Sequence, residues 1–237
     1  MVNIDTVYQR VLALASKEQR GYITPQEFNL YANQAQMEIF EQYFYDLNQF
    51  KRAPGNDSEY HDMVDLIEEK IYPFKKHTTV GSEQVLTDLT GFYRLGGVYE
   101  VGTSTAADPY GDSKIVEEIN LDDLIKTQSS PLTKATKSRP VYYIQENTMY
   151  FVPSTGSFKL FYIRKPEKAN WTYIVIGEKP LFNPDLTAGW QDFELHVSEE
   201  TKLVVKILQL AGVAIKDYNL SQAATQKDIS KIQQEKQ

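Results

Sequence analysis

RPVYYIQENTMYFVP (139–153), followed after three residues by SFKLFYIRKP (157–166), is the stretch that decides the fold. Val141 to Gln145 and Thr148 to Val152 are short runs of β-branched and aromatic residues. Between them Glu146 and Asn147 suit a two-residue hairpin turn, because Asn tolerates the left-handed conformation such turns require. Pro153 to Ser157 is turn punctuation, and Phe158 to Arg164 is a third run closed by Pro166. The pattern predicts a three-stranded antiparallel meander with both faces apolar. In the third strand Phe158, Leu160 and Tyr162 point one way, Phe161 and Ile163 the other. A sheet with one wet face would alternate apolar and polar. Something must cover each face, either the chain's own helices or a neighbouring molecule, and the second makes Phe161 and Ile163 candidate subunit-interface residues.

Composition sets the outer limits. The 237 residues are 41% hydrophobic, 24% charged and 12% aromatic, with 16 Tyr, ordinary for a globular protein large enough for one core or two lobes. No apolar run approaches the ~18 residues of a membrane span. No basic-then-apolar leader opens the sequence, so a soluble chain made in a cytoplasm is expected. Without cysteine there is no disulfide, thiolate metal site or thiol nucleophile. A formal charge of -7 argues against a general nucleic-acid binder, whose footprint is basic.

Outward from the meander, helical periodicity flanks a β-rich middle. Ile4, Val7, Val11 and Leu14 make one stripe over Asn3 to Ser16, which Gly21 ends. Thr24-Pro25-Gln26-Glu27 starts a second helix: Thr24 caps, Pro25 suits the first turn, and Glu27 closes a capping box. It runs to about Phe50 with a broad stripe of Phe28, Tyr31, Ala35, Ile39 and Tyr43, widened by Ala32, Phe40, Phe44 and Leu47. Asp62 to Tyr72 reads as a third helix with Met63, Leu66, Ile67 and Ile71 inward. From Val80 the period shifts toward two. Gln84 to Leu89 and Phe92 to Val101 read as strands, Gly96-Gly97 as a bulge, and Ile115 to Ile119 as a further short strand. Asn120 can cap a short helix to about Thr127. Residues 166–197 read as an irregular connector pinned by Trp171 and Trp190. Ser198 then caps a core helix, Glu199 to Tyr218, with Glu199 and Glu200 in its first turn and Lys202 and Lys206 on its wet side. The tail past residue 218 has too little apolar surface to fold alone. Its Ile229 and Ile232 are the remaining interface candidates, ordered by a partner.

The fold class expected is α+β. Residues 1–79 and 198–220 form a helical lobe, 80–197 an inserted antiparallel β-rich region, and 221–237 an arm.

Chemistry is sparse, and no catalytic, cofactor-binding or metal-ligating residues are assigned. His61, His77 and His196 lie far apart in sequence with no HExxH or His-x-His pair. Gly91 to Gly97 lacks the Lys-Ser/Thr of a phosphate loop, and Asp108 and Asp112 miss calcium-loop spacing. Adjacent acids such as Glu117-Glu118 and Asp122-Asp123 are far more often solvated than glycosidase pairs. The basic run 126–139 (Lys126, Lys134, Lys137, Arg139) is a solvated loop or a contact for phosphate or for an acidic protein surface.

The element order does resemble a family. A helical pair, LDDLIKT (121–127), a Pro-containing basic loop, RPVYYIQENTMYFVP, SFKLFYIRKP and a helix ending LAGVAIKDYN (210–219) are similar to the head–tail connector (adaptor) proteins of tailed bacteriophages, the tail tubular protein A kind. The likeness spans about residues 1–220 and is one of element order. It implies a non-enzymatic virion protein of the neck or tail, made in the host cytoplasm and without a membrane anchor. It implies a homo-oligomeric ring, commonly of twelve copies, docked on the portal protein and touching other tail proteins, with DNA passing through unread. An acidic wall would keep phosphate from sticking. Two alternatives stand beside it: another tail or baseplate component, and a carbohydrate-binding or -processing β module that uses Trp171 or Trp190.

Overall fold

The computed structural model describes residues 1–17, 23–52, 58–102, 113–177, 179–214 and 226, without the side chains of 16, 17, 51, 52, 58–63, 186, 213 and 214. Five helices are described: α1 Ile4–Lys17, α2 Pro25–Arg52, α3 Ser58–Ile71, α4 Leu121–Gln128 and α5 Glu200–Ala214. The strands are β1 Lys75–Val80, β2 Glu83–Val85, β3 Phe92–Glu100, β4 Lys114–Ile115, β5 Glu117–Glu118, β6 Val141–Gln145, β7 Thr148–Val152, β8 Phe158–Arg164, β9 Tyr173–Ile176 and β10 Lys179–Phe182. The fold is α+β, helices from both chain ends with antiparallel sheet inserted between them in sequence. The chain divides into two compact units, 1–73 with 166–237, and 74–165.

The helical unit starts at its caps. Asn3 Oδ1 accepts from Thr6 N (2.9 Å) at the head of α1. At α2 the expected capping box is in place: Glu27 N donates to Thr24 Oγ1 (3.3 Å) while Thr24 N donates to Glu27 Oε2 (3.0 Å). The Thr24 backbone N–H, together with the Thr24 hydroxyl that also donates to Glu27 Oε2 (2.7 Å), holds the Glu27 carboxyl below its ordinary range. In α1 the seam is Ile4, Val7, Val11 and Ala15, with Tyr8 beside it; Leu14, expected inward, is exposed because the seam steps by four from Val11 to Ala15. In α3 Ile67 and Ile71 are buried but Leu66 is not. α2 packs on α3 and α5, and α1 on α5.

α5 departs from expectation at its polar positions. Ser198 does not act as the cap; His196 Nδ1 accepts from Ser198 N (3.3 Å) and starts a short 3-10 turn ahead of the helix. Glu199 is buried and takes Lys70 of α3 at 2.6 Å, and Glu200 takes Arg10 of α1 at 2.8 Å. Lys202, expected on the wet side, is buried, and Lys206 reaches Glu38 of α2 at 3.3 Å. This helix is enclosed on nearly every side, so its charged stems are covered along with its leucines.

Residues 166–195 belong to this unit, which moves the boundaries from the expected 79/80 and 197/198. The reason is a polar ladder on α2. Asn29, Asn33 and Gln36 stand one turn apart and serve the backbone of 167–171. Trp171 N donates to Asn29 Oδ1 (2.9 Å), Asn33 Nδ2 to Ala169 O (2.8 Å), and Gln36 Nε2 to Glu167 O (2.7 Å). Gln36 also accepts from Glu194 N (3.3 Å), and Glu194 Oε2 accepts from Glu167 N (2.8 Å). Sequence reading looked only at the apolar stripe of α2 and missed this one. Gln36→Leu is expected to leave Glu194 N, which is buried, and Glu167 O, which is part-buried, without Gln36, at ~1–3 kcal/mol for the N–H and toward the low end of that range for the carbonyl. Calorimetry should show the melting midpoint falling by about 5–15 °C; a fall of a degree or less would mean that the ladder is dispensable.

The second unit corrects the meander. β6 and β7 form the expected hairpin, with Glu146 (φ 50) and Asn147 (φ 65) in its turn. β8 does not join them. One sheet runs β1-β8-β3-β4 and the other β2-β7-β6-β5. The link 153–157 carries the chain from one sheet to the other, so Phe151 and Phe158 meet ring on ring at 4.2 Å. Val80, Val98, Phe158, Leu160 and Tyr162 of the first sheet and Tyr142, Met149 and Phe151 of the second form a single sandwich core. Leu86 and Leu89, expected on a strand, plug the core from a 3-10 turn and the residue after it. The Gly96-Gly97 bulge is present as a register shift between Leu95 and Val98, and a Cβ on Gly96 would sit 2.9 Å from Phe161 O. Ile115 to Ile119 is split: Lys114–Ile115 pairs with β3, Glu117–Glu118 with β6 in parallel. Leu124 of α4 covers the outer side of the second sheet at Val141, with Tyr143 and Val152 packed against them.

Candidate assembly surfaces

Phe161 and Ile163 lie on the outer face of the first sheet, opposite the core face of β8. Register places His77 against Phe161 and Lys75 against Ile163 across β1. The His77 ring is 5.7 Å from that of Phe161, and Tyr99 meets it edge-on at 5.6 Å. Both interface candidates are thus half-buried and sheltered by their own sheet, where a two-faced meander implied a cover from outside it. Ile229 and Ile232 fall outside the described residues, as do the loop acids Asp108 and Asp112 and most of the proposed arm.

Among the described residues, the most exposed apolar strand is one that sequence reading left irregular. β9 and β10 form an antiparallel hairpin, register Tyr173 to Phe182 through Ile176 to Lys179. All four residues of β9 are exposed: Ile174 45%, Val175 65% and Ile176 58%, with Tyr173 beside them. The root is fixed. Trp171, buried, meets Tyr8 at a tilt at 3.9 Å, stacks on Tyr173 at 5.8 Å and on Phe182 at 6.2 Å, and its Nε1 donates to Asp5 (3.0 Å). Beyond that root the hairpin stands clear.

Its two edges differ. Asn183 N donates to Thr172 O (2.9 Å), so 172/183 is a hydrogen-bonded pair. Pairs alternate in an antiparallel ladder, which makes 174/181 and 176/179 bonded and turns the backbone groups of Tyr173, Val175, Pro180 and Phe182 outward. Pro180 has no N–H to offer, so the β10 edge is blocked. The β9 edge presents N–H and C=O at Tyr173 and Val175, a template for another strand. The signal legible in advance was YIVI-GE-KPLF (173–182), a β-branched run and a Gly-containing two-residue turn.

A hollow of about 160 Å3 on the second unit is bordered by Glu117, Glu118, Thr127, Thr133 and Arg139. Both adjacent acids are engaged, Glu117 by Arg139 at 3.3 Å and Glu118 by the Tyr142 hydroxyl at 3.2 Å. Burial, with the Glu118 charge beside it, pushes the Tyr142 hydroxyl up to about 12. A raised pKa favours the protonated form in the folded state. The stability it lends is therefore full below about pH 10 and is lost as pH rises toward 12. Tyrosinate absorbance should show one late-titrating group that Tyr142→Phe removes; an unchanged titration curve refutes the assignment.

Among the described residues, no three His, Asp or Glu side chains gather as a metal site, and no helix is long and apolar enough to cross a membrane. His77 is the ring against Phe161, His196 the turn cap, and His61 lies in α3 with its side chain outside the description. Compared with known proteins, the chain matches no family model and no curated sequence.

Proposed function

We propose that this chain is a structural component of a virion, a head–tail connector whose copies form a ring on the portal and line part of the DNA channel. The observation that carries the reading is the β9–β10 hairpin: an apolar element with one open edge, which needs a neighbour to cover it. Its support from sequence is the order of elements from LDDLIKT to LAGVAIKDYN. The acidic balance suits a conduit that must not hold DNA. The sugar-module alternative is disfavoured at Trp171, which is buried between Tyr8 and the hairpin root and is not free to stack on a ring ligand.

The deciding experiment is native mass spectrometry and electron microscopy of the full chain, alone and with a candidate portal. A closed homo-ring that docks on the portal is the expected result. A chain that stays monomeric with portal present, and whose tryptophan fluorescence responds to oligosaccharide, would sink the connector reading.

A further inference from the structure

We infer that copies of this chain join through two different surfaces of opposite charge: α4 with the 126–139 segment of one copy, and the outer face of α3 of the next. The inference rests on the ring reading and supplies its contact. Over Ser58–Ile71 the sequence carries five acids against Lys70, a formal -4; over 126–139 it carries four cations and no acid, a formal +4. Two of those cations are answered at home, Lys126 by Asp123 at 3.1 Å and Arg139 by Glu117 at 3.3 Å. Lys134 and Lys137 are exposed and have no acidic partner among the described residues.

On α3 the mirror situation holds. Asp65 and Glu69 stand four apart on the helix, both exposed and without a cationic partner among the described residues. Like charges at that spacing repel, a cost that an arriving pair of ammonium groups would reverse. Each surface also carries apolar anchors. Leu66 and Tyr72 flank the acids, both more than half exposed. Opposite them, Leu132 is 95% exposed and Ile125 65%. The loop that presents Leu132 is not loose: Thr133 Oγ1 donates to Thr127 O (3.1 Å) and Lys134 N to Ser130 O (3.0 Å), folding it back on the end of α4.

Charge fixes register and partner choice, while the leucines and the tyrosine supply buried area. Because the two surfaces differ, the contact is head-to-tail, the kind that generates rings when the rotation closes. An anionic ligand of another class could also meet the lysines, but it would leave the acids of α3 unanswered; a copy of the same chain satisfies both.

The test is charge reversal in the full chain, read by sedimentation at low and high salt. Lys134→Glu with Lys137→Glu, or Asp65→Lys with Glu69→Lys, is expected to weaken association at least tenfold. Mixing the two variants should restore it, since each then meets its opposite. Carbodiimide applied to a mixture of isotopically heavy and light copies should join Lys134 or Lys137 to Asp65 or Glu69 between copies. A ring untouched by either reversal, or cross-links only within one copy, overturns this contact and leaves the ring reading standing. A chain that stays monomeric at low salt overturns both.

Discussion

Trp171→Ala is expected to cost about 3–5 kcal/mol, the range for deleting a large buried aromatic. Trp171 is 1% exposed, sits between Tyr8 and the hairpin root, and anchors the 166–195 segment on the helices. Its removal opens a cavity where Tyr8, Tyr173 and Phe182 converge and strips Asp5 of its indole donor. Trp171→Phe keeps most of the ring contact and loses the bond to Asp5, so it should fall well short of the alanine cost. Urea unfolding of both variants decides the matter. Equal losses would place the energy in the hydrogen bond, and a loss under ~1 kcal/mol for alanine would mean that the segment is held elsewhere.

The second large effect concerns assembly and not stability. Ile174→Lys with Ile176→Lys puts two charges on the exposed face of β9, where surface substitutions move stability by only ~0.5 kcal/mol. Association, by contrast, should weaken by at least tenfold, about 1.4 kcal/mol or more. Val175→Pro separates the two ways the hairpin could be used. Val175 turns its N–H outward, so proline there leaves the bonded 174/181 and 176/179 pairs in place and removes a donor only from the open edge. If Val175→Pro assembles normally while the lysine pair does not, the hairpin is buried by its side chains and no strand adds to it. If neither affects assembly, the hairpin lies outside the contacts. Phe161→Lys on the outer sheet is the companion variant: loss of helical circular dichroism there would show a core residue, not an interface one.

Much of this molecule was legible because its decisive signals are local. Thr24 and Glu27 are three residues apart, so the capping box needed no other part of the chain. Glu146-Asn147 and Gly96-Gly97 are likewise set by backbone sterics within a few residues, and their turn and bulge came out where the residues placed them. The α+β class and the helical lobe built from both chain ends follow from periodicity, which sums over a whole segment and tolerates single errors such as Leu14, Leu66 and Lys202.

What tertiary structure alone decided is the choice of partners. Pro153 to Ser157 can turn β8 back onto β7 or carry it across to a second sheet, and both keep the same alternation in Phe158 to Arg164. The choice fell to β1 and β3, about eighty and seventy residues upstream. β1 is KKHTTV, with no apolar stripe to announce it, and is a strand because Phe158 to Ile163 gives it a ladder. The same holds at the assembly surfaces. Phe161 was read as needing a cover from outside its sheet because its neighbours His77 and Tyr99 are distant in sequence. The hairpin was read as connector because its anchor, Trp171, finds Tyr8 and Asn29 only after α1 and α2 have packed. Capping and turn energies depend on neighbours in sequence; strand pairing and burial depend on neighbours in space, which no short window contains.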